Sequence, residues 1–406
     1  MNENGQLNFI FVSPQFPKDY WNFCDRLHKN HVNVLGIGDS PYDSLDPRLK
    51  NALTEYYLVS DLGDYKQMFK AVAFFSFRYG KIDWIESNNE YWLMSDAHLR
   101  TDFNITTGIQ NNQIDFIKEK SLMKQIYFDN NIPTARQCKI KDASSYSDVK
   151  AFIDTVGYPV IVKPDIGVGA TNTWKLENDN DLDNFFNNYP GVPYVCEEFI
   201  DGDICSYDAI VDSNGDPLFE SMTHWPPSVM DIVEKQLDLW YYTVPYVPDQ
   251  LRELGRRTVK AFNVKSRFVH LEFFCLNHNK PGLGNAGDFV ALEVNMRPAG
   301  GYTPDMMNFA HNTDVYQIYA DMVTTDKRVL PDSQDHAYCA YASRRDGFQY
   351  VHDDNEIMNK YGSVMKMHEE MPQMNWPQMG RYMYTARLNS EEEVHEFFKY
   401  VQERKS

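Results

Sequence analysis

The 406-residue chain has only six cysteines, Cys24, Cys138, Cys196, Cys205, Cys275 and Cys339, with no CxxC pair and no histidine at zinc spacing. That dispersal excludes a disulfide framework and a thiolate zinc site, and it reads as reduced thiols in a cytoplasmic protein. Long hydrophobic runs are also missing. The most apolar stretch, Ala71 to Phe77, is too short to span a bilayer, and MNENGQLNFIF lacks the basic start and apolar core of a leader, so neither secretion nor a membrane is expected. Basic charge is scarce, with 39 Lys and Arg against 58 Asp and Glu, a net charge of −19. Such a field repels polyanions and excludes nucleic acid as the main partner. No internal repeat or low-complexity tract interrupts the chain.

What is present is the composition of a folded protein. Hydrophobic residues at 43% and aromatics at 14% supply a core, which rules out disorder over most of the length. At roughly 150 residues per domain the length suggests two or three domains. Residues 1 to about 110 alternate apolar runs with helical patterns. LNFIFV (Leu7 to Val12), VNVLGI (Val32 to Ile37), TEYYLV (Thr54 to Val59) and KIDWIE (Lys81 to Glu86) read as buried strands. Between the last two lies a helix capped by Asp64, with Tyr65, Met68, Phe69, Val72 and Phe75 at helical spacing and Gly80 at its exit. Strand and helix in alternation predict a parallel sheet covered on both faces. Gly36 and Gly38 lack a third glycine, so they read as a strand-to-loop turn more readily than as a dinucleotide fingerprint.

A second helix is predicted from about Asp115 to Asn131, ended by Ile132-Pro133. Beyond Asp335 the pattern gives a strand near Tyr338 to Ala342 and a last helix opened by a Ser390/Glu393 capping box, with Val394, Phe397, Phe398 and Val401 on one face. The segment between carries the chemistry. In YPVIVKPDIGVGATNTW, Pro159 to Val162 is a short strand, Lys163 stands at its end, and a loop with Gly167 and Gly169 follows. An ammonium beside backbone N–H groups that can approach closely suits nucleotide phosphates, although a snorkelling lysine beside a hairpin has the same pattern. In VCEEFIDGDICSYDAIV, a strand ending in Glu197 and Glu198 leads through Phe199-Ile200 to a turn at Gly202. It could present backbone groups to an adenine edge or be an ordinary exposed hairpin.

FVHLEFF (Phe268 to Phe274) and FVALEVNMRPAGG (Phe289 to Gly301) are apolar strands carrying acids that burial would penalise unless they have partners. Glu293 and Asn295, two apart, project from one face, and Glu272 can reach that face from a neighbouring strand. Two carboxylates and an amide oxygen are hard ligands of the kind Mg²⁺ takes beside nucleotide phosphates. Arg297 adds a fixed cation for carboxylate or phosphate oxygens, with a salt bridge to these acids as the alternative. The stretch from His224 to Tyr246 reads either as a substrate-facing loop or as aromatic core, and VMKM (Val364 to Met367) reads as a strand more simply than as a biotinylated-lysine motif.

The ordered set of a helix with Lys120 in KEKSLMK, then VIVKP, CEEFIDG, HLEFF and LEVNMRPAGG resembles the ATP-grasp ligase family over about residues 115 to 303. The resemblance implies an α/β fold with α+β lobes. An N-terminal parallel α/β domain (1–112) would precede a two-lobed ATP-grasp domain (113–325), and a C-terminal segment (326–406) would complete a lobe. By the same resemblance Lys120 and Lys163 are the ATP-phosphate lysines, and the 166 to 171 loop with Gly167 and Gly169 is the flap over the phosphates. Glu198 and Ile200 are the backbone contacts to adenine with Glu197 beside them, Glu272, Glu293 and Asn295 are the metal ligands, and Arg297 holds the acyl phosphate. Two positions depart from the pattern. Ala170 stands where many members have a serine, and Ile204 stands where a ribose-binding acid is common, so either Asp203 takes that role or the ribose is held loosely.

The expected activity is therefore an ATP-dependent carboxylate-amine ligase. It would use ATP with Mg²⁺ or Mn²⁺, form an acyl phosphate, release ADP and phosphate, and act on a small carboxylate and an amine, with a homodimer left open. The alternatives are a bicarbonate-activating enzyme resembling carbamoyl phosphate synthetase or biotin carboxylase, and a catalytically silent ATP-binding module.

Overall fold

A computed structural model of the chain describes residues 5–167, 172–226 and 237–405. Its N-terminal part is a four-stranded parallel sheet of β1 (Asn8–Val12), β2 (Asn33–Gly38), β3 (Glu55–Leu58) and β4 (Trp84–Glu86), ordered β3-β2-β1-β4. All five residues of β1 are buried, because helices Trp21–Lys29 and Tyr65–Tyr79 cover the two faces of the sheet. The second of these helices begins as expected, with the Asp64 carboxylate accepting the Lys66 N–H, and it stops at Gly80, whose φ of 82° a side chain would resist. Its buried stripe is Met68, Ala71, Val72 and Phe75. Phe69 instead turns outward against the Phe103 ring.

The single helix expected over residues 115 to 131 is two helices, Asn111–Lys118 and Lys120–Asp129. Glu119 adopts φ −86° and ψ 113° between them, and the Lys120 N–H bonds to the Asp165 carbonyl instead of continuing the first helix. Tertiary hydrogen bonding thus overrides an unbroken apolar period.

Two antiparallel sheets follow. The smaller contains β5 (Gln137–Ile140), β6 (Val160–Pro164), β7 (Trp174–Leu176) and β8 (Tyr194–Glu198), ordered β5-β8-β6-β7 and backed by helices Tyr146–Val156 and Asp179–Asn187. The larger has eight strands in the order β13-β12-β9-β10-β11-β14-β16-β15. These are β9 (Gly202–Val211), β10 (Pro217–Trp225), β11 (Trp240–Thr243), β12 (Arg267–Leu276), β13 (Phe289–Asn295), β14 (Tyr338–Arg344), β15 (Met365–Glu370) and β16 (Tyr382–Leu388). VMKM enters β15, which pairs with β16. Tyr241 and Tyr242 are buried in β11 and belong to the core, whereas His224, Trp225 and Trp240 are half-buried, Tyr246 is exposed, and residues 227 to 236 lie outside the described ones.

Ser390 caps the last helix through its hydroxyl as expected, but Glu393 reaches back to the Asn389 N–H, one residue earlier than a reciprocal box requires. The N-terminal sheet is tied to the large one by charge. Glu86, at the end of β4, pairs with Arg100 at 2.9 Å and with Arg267 at the start of β12, all three being buried. Removing one member of such a cluster strands charge in a low-dielectric site.

Candidate active site

The cleft lies where the small sheet, the large sheet and the helix Lys120–Asp129 converge. Lys163 leaves the end of β6, and its Nζ stands 2.9 Å from Glu197 Oε2 on the neighbouring strand β8. Burial by itself would depress the lysine, but the Glu197 carboxylate, helped by Glu293 and Glu272, holds its pKa above the ordinary value. Lys120 opens the helix, with its Nζ donating to the Gly167 carbonyl at 2.9 Å and lying 3.6 Å from Glu293. One turn later comes Lys124, which is fully buried. Its Nζ donates to Thr134 Oγ1 at 2.8 Å and to the carbonyls of Ala291 and Leu292, 3.8 Å from Glu197. Desolvation brings it down to about 8, against the pull of Glu197.

On the opposite wall Glu272 of β12 faces Glu293 of β13 directly, and His270 faces Asn295. Side chains opposite one another in an antiparallel pair share a face, so these four groups form one polar patch on the sheet. Asn295 Nδ2 lies 3.3 Å from Glu272 Oε1. His270 bridges two acids, with Nδ1 2.7 Å from Asp208 and Nε2 3.3 Å from Glu272. Although burial works against its charge, Asp208 and Glu272 lift its pKa to about 9. Burial opposes ionisation of Glu272 as well, but His270, Arg297 and Lys163 keep its carboxyl below the usual range. Glu293 goes the other way. Burial raises it, Lys120 only partly compensates, and the facing Glu272 adds to the rise.

Among the described residues no group of three or more His, Cys, Asp and Glu side chains is arranged to hold a metal. The donor set here is two facing carboxylates and the Asn295 amide. A hard divalent cation fits that set, because its charge would offset the burial, and the lesser repulsion from Glu272, that hold Glu293 high. Arg297 extends beside this patch. It donates to the Pro298 carbonyl at 2.8 Å, approaches Asn295 Oδ1 at 3.4 Å, and places Nε 3.4 Å from Glu90 Oε2.

The remaining candidate residues have other settings. The Glu197 carboxylate is occupied by two lysines instead of standing free beside an adenine pocket. Glu198 is buried, its side chain is held bidentately by Arg136 with Lys280 at 3.5 Å, and its N–H donates to the Arg136 carbonyl at 3.0 Å, so neither its carboxylate nor its N–H stands free. Ile200 packs with Ala135, Leu276 and Val290. Asp203 sits in β9 opposite Cys275. Gly169 and Ala170 lie outside the described residues, whereas Gly167 is tied to Lys120.

Sequence reasoning missed three groups. Lys124 carried a signal, being four residues after Lys120 on the same helical face. Asp208 carried none, since only the pairing of β9 with β12 sets it opposite His270. Glu90, from the N-terminal part, reaches both Lys118 at 2.5 Å and Arg297, and no local pattern marks it.

Residues 122–225 match the family model of the ATP-grasp domain. Over 321 residues the chain is 22% identical to an L-arginine-specific L-amino acid ligase of Bacillus subtilis, covering 77% of this chain and 74% of that protein. Among solved structures, an L-amino acid ligase from Bacillus licheniformis superposes with a TM-score of 0.70 at 14% identity, covering 97% of this chain and 96% of that one. An N5-carboxyaminoimidazole synthetase from Staphylococcus aureus complexed with ADP superposes with a TM-score of 0.66 at 15% identity, over 97% of both chains. The described architecture, a parallel sheet followed by two antiparallel ones, is the fold these proteins share.

Proposed function

We propose that this chain, an ATP-grasp protein, is an ATP-dependent ligase that phosphorylates a small carboxylate and passes the acyl group to an amine, releasing ADP and phosphate. The observation that carries the reading is the convergence of three lysines from one helix and one strand with Glu272, Glu293, Asn295 and Arg297 across a single cleft. The relatives named as amino acid ligases support it.

In this reading Lys120 and Lys163 bind the β- and γ-phosphates, with Lys124 behind them fixing Glu197. The Glu198 carbonyl and the Ile200 backbone take the adenine, and Asp203 takes the ribose. The substrate carboxylate oxygen attacks the γ-phosphorus in line, and the bond from that phosphorus to the β–γ bridging oxygen breaks, leaving ADP. Charge spreads over the transferring group, so fixed cations supply the catalysis and no covalent enzyme nucleophile is needed. Arg297 then orients the acyl phosphate. The amine nitrogen attacks its carbonyl carbon, phosphate departs with the electrons of the C–O bond, and the amine loses a proton. Mg²⁺ or Mn²⁺, when held by Glu272, Glu293 and Asn295, supplies charge neutralisation between the phosphates.

Product analysis tests the reading. ADP and phosphate are expected with a screen of amino acids and small carboxylates, alone and in pairs, and hydroxylamine should trap the acyl phosphate as a hydroxamate when no amine is supplied. AMP and pyrophosphate as products would overturn both the mechanism and the role given to Arg297.

A further inference from the structure

Away from the cleft, a cavity of about 560 Å³ opens where residues 106–110, the helices Asn111–Lys118 and Asp249–Ala261, and the start of β12 meet. Its size is within the range for small-molecule pockets. Phe116, Ile117, Ile126, Phe262 and Met296 give it an apolar wall, in which the Phe116 ring is 46% exposed.

The charge of this wall runs against that of the chain. Lys265 and Arg267 are in it and no Asp or Glu is, in a protein with 58 acids and a net charge of −19. Cations without acids around a concave surface focus a positive field there. Lys265 is exposed and forms no ion pair among the described residues.

Arg267 is 2% exposed, and its donors are not all used. Nη2 pairs with Glu86, whereas Nε and Nη1 meet no acceptor among the described residues. A guanidinium only donates, so two of its nitrogens left without partners in a buried setting are a cost that an anion would remove. The nearby acids do not remove it. Glu86 Oε2 is shared with Arg100 at 2.9 Å, so one carboxylate serves two guanidiniums. Asp96 accepts from the Ser87 N–H at 3.0 Å, and burial holds its carboxyl up at about 7, which leaves it only partly ionised near neutral pH. The other Arg100 donors end on the Ile85 and Ile109 carbonyls.

The cavity is separate from the cleft. None of Lys120, Lys163, Glu272, Glu293, Asn295 and Arg297 is in its wall, although Met296 adjoins Arg297 and Ile126 is on the lysine helix. An apolar wall with a cation at each end of its polar side suits a ligand that joins an apolar body to one anionic group.

We propose that this cavity is a second ligand site, which takes an organic monocarboxylate with its carboxylate set between Lys265 and Arg267 and its apolar body against Phe116, Phe262 and Met296. The site does not depend on the ligase reading.

Calorimetric titration of the full chain with phenylacetate and with its neutral counterpart phenylacetamide tests the assignment. The acid should bind roughly tenfold tighter or better, since charge-assisted hydrogen bonds are the strong ones. Lys265→Gln, at an exposed position that folding does not need, should reduce that preference. Ala261→Phe, which fills the cavity from the end of its helix, should abolish binding of the acid while ADP affinity stays unchanged. Arg267→Lys keeps a cation for Glu86 and should weaken the acid as well; if it does not fold, the other two variants decide. Equal affinity for acid and amide overturns the assignment, as does an unchanged preference in Lys265→Gln. Binding that survives in folded Ala261→Phe, or that saturating ADP with Mg²⁺ displaces, places the acid in the cleft and overturns it too.

Discussion

Lys163 Nζ and Glu197 Oε2, from adjacent strands of the small sheet, form an ion pair at 2.9 Å in a buried setting. The same carboxylate is 3.8 Å from Lys124, so one acid balances two ammoniums and the cleft keeps an excess of positive charge where phosphates would lie. With the facing acids of β12 and β13 on the other wall, the cleft is polarised across its width. An arrangement of this kind favours a bound group that is anionic on one side and metal-bridged on the other.

Lys163→Ala should weaken ATP binding by about 2 kcal/mol or more, because hydrogen bonds to charged groups contribute about 1.5–3. Glu197 would keep Lys124 as its partner, so the loss of fold stability should fall below the 3–5 kcal/mol typical of a broken buried pair. Calorimetric titration with ATP and thermal unfolding separate the two effects. Unchanged affinity would refute the phosphate role.

Glu293→Gln should leave the melting temperature little changed. The amide is nearly isosteric, and the substitution removes a carboxylate that burial and Glu272 already strain, although it also gives up the attraction to Lys120. Turnover should collapse at limiting Mg²⁺ and recover in part at high Mg²⁺. Full activity at limiting metal would show that Glu293 is not a ligand.

His311 predicts an acid-dependent loss of stability outside the cleft. Burial, with His336 and Arg328 adding repulsion, pushes its pKa down to about 3 from 6.5. Between those values the unfolded chain binds a proton that the folded chain does not, so the stability present above about pH 6.5 is lost as pH falls toward 3. The full effect is roughly 4 to 5 kcal/mol at about 1.4 kcal/mol per unit. Urea unfolding from pH 7 to pH 4.5 should show this slope. His311→Asn should flatten it, since the amide keeps a partner for Ser221, 2.9 Å from the ring in the wild type, without a titrating proton. Equal slopes in the two proteins would mean that other groups drive the acid sensitivity.

The elements that were legible in advance are those whose signal is local. The β1, β2 and β4 strands are short buried apolar runs, whereas β3, expected to be buried, lies at the sheet edge and leaves Leu58 exposed; Asp64 and Gly80 bracket their helix by capping chemistry, and the alternation of Glu293 with Asn295 places both on one face whatever lies opposite. The break at Glu119 was not legible, because what ends the helix there is a hydrogen bond from Lys120 to Asp165, 45 positions away in the chain. Nor was the fate of Glu197. Its sequence neighbours suggest an adenine pocket, and only the pairing of β6 with β8 turns its carboxylate toward Lys163.

By itself, then, the sequence determined the secondary structure of the strongly periodic segments, the order of the motifs and the residue types available for chemistry, since all of these follow from side-chain period, capping and charge along the chain. Tertiary structure alone decided which charges meet. The Asp208–His270–Glu272 row, the approach of Glu90 to Arg297 and the facing of Asp19 with Asp305 each join residues from separate elements. Their ionisation depends on distance and desolvation, and neither is written in any local stretch of sequence.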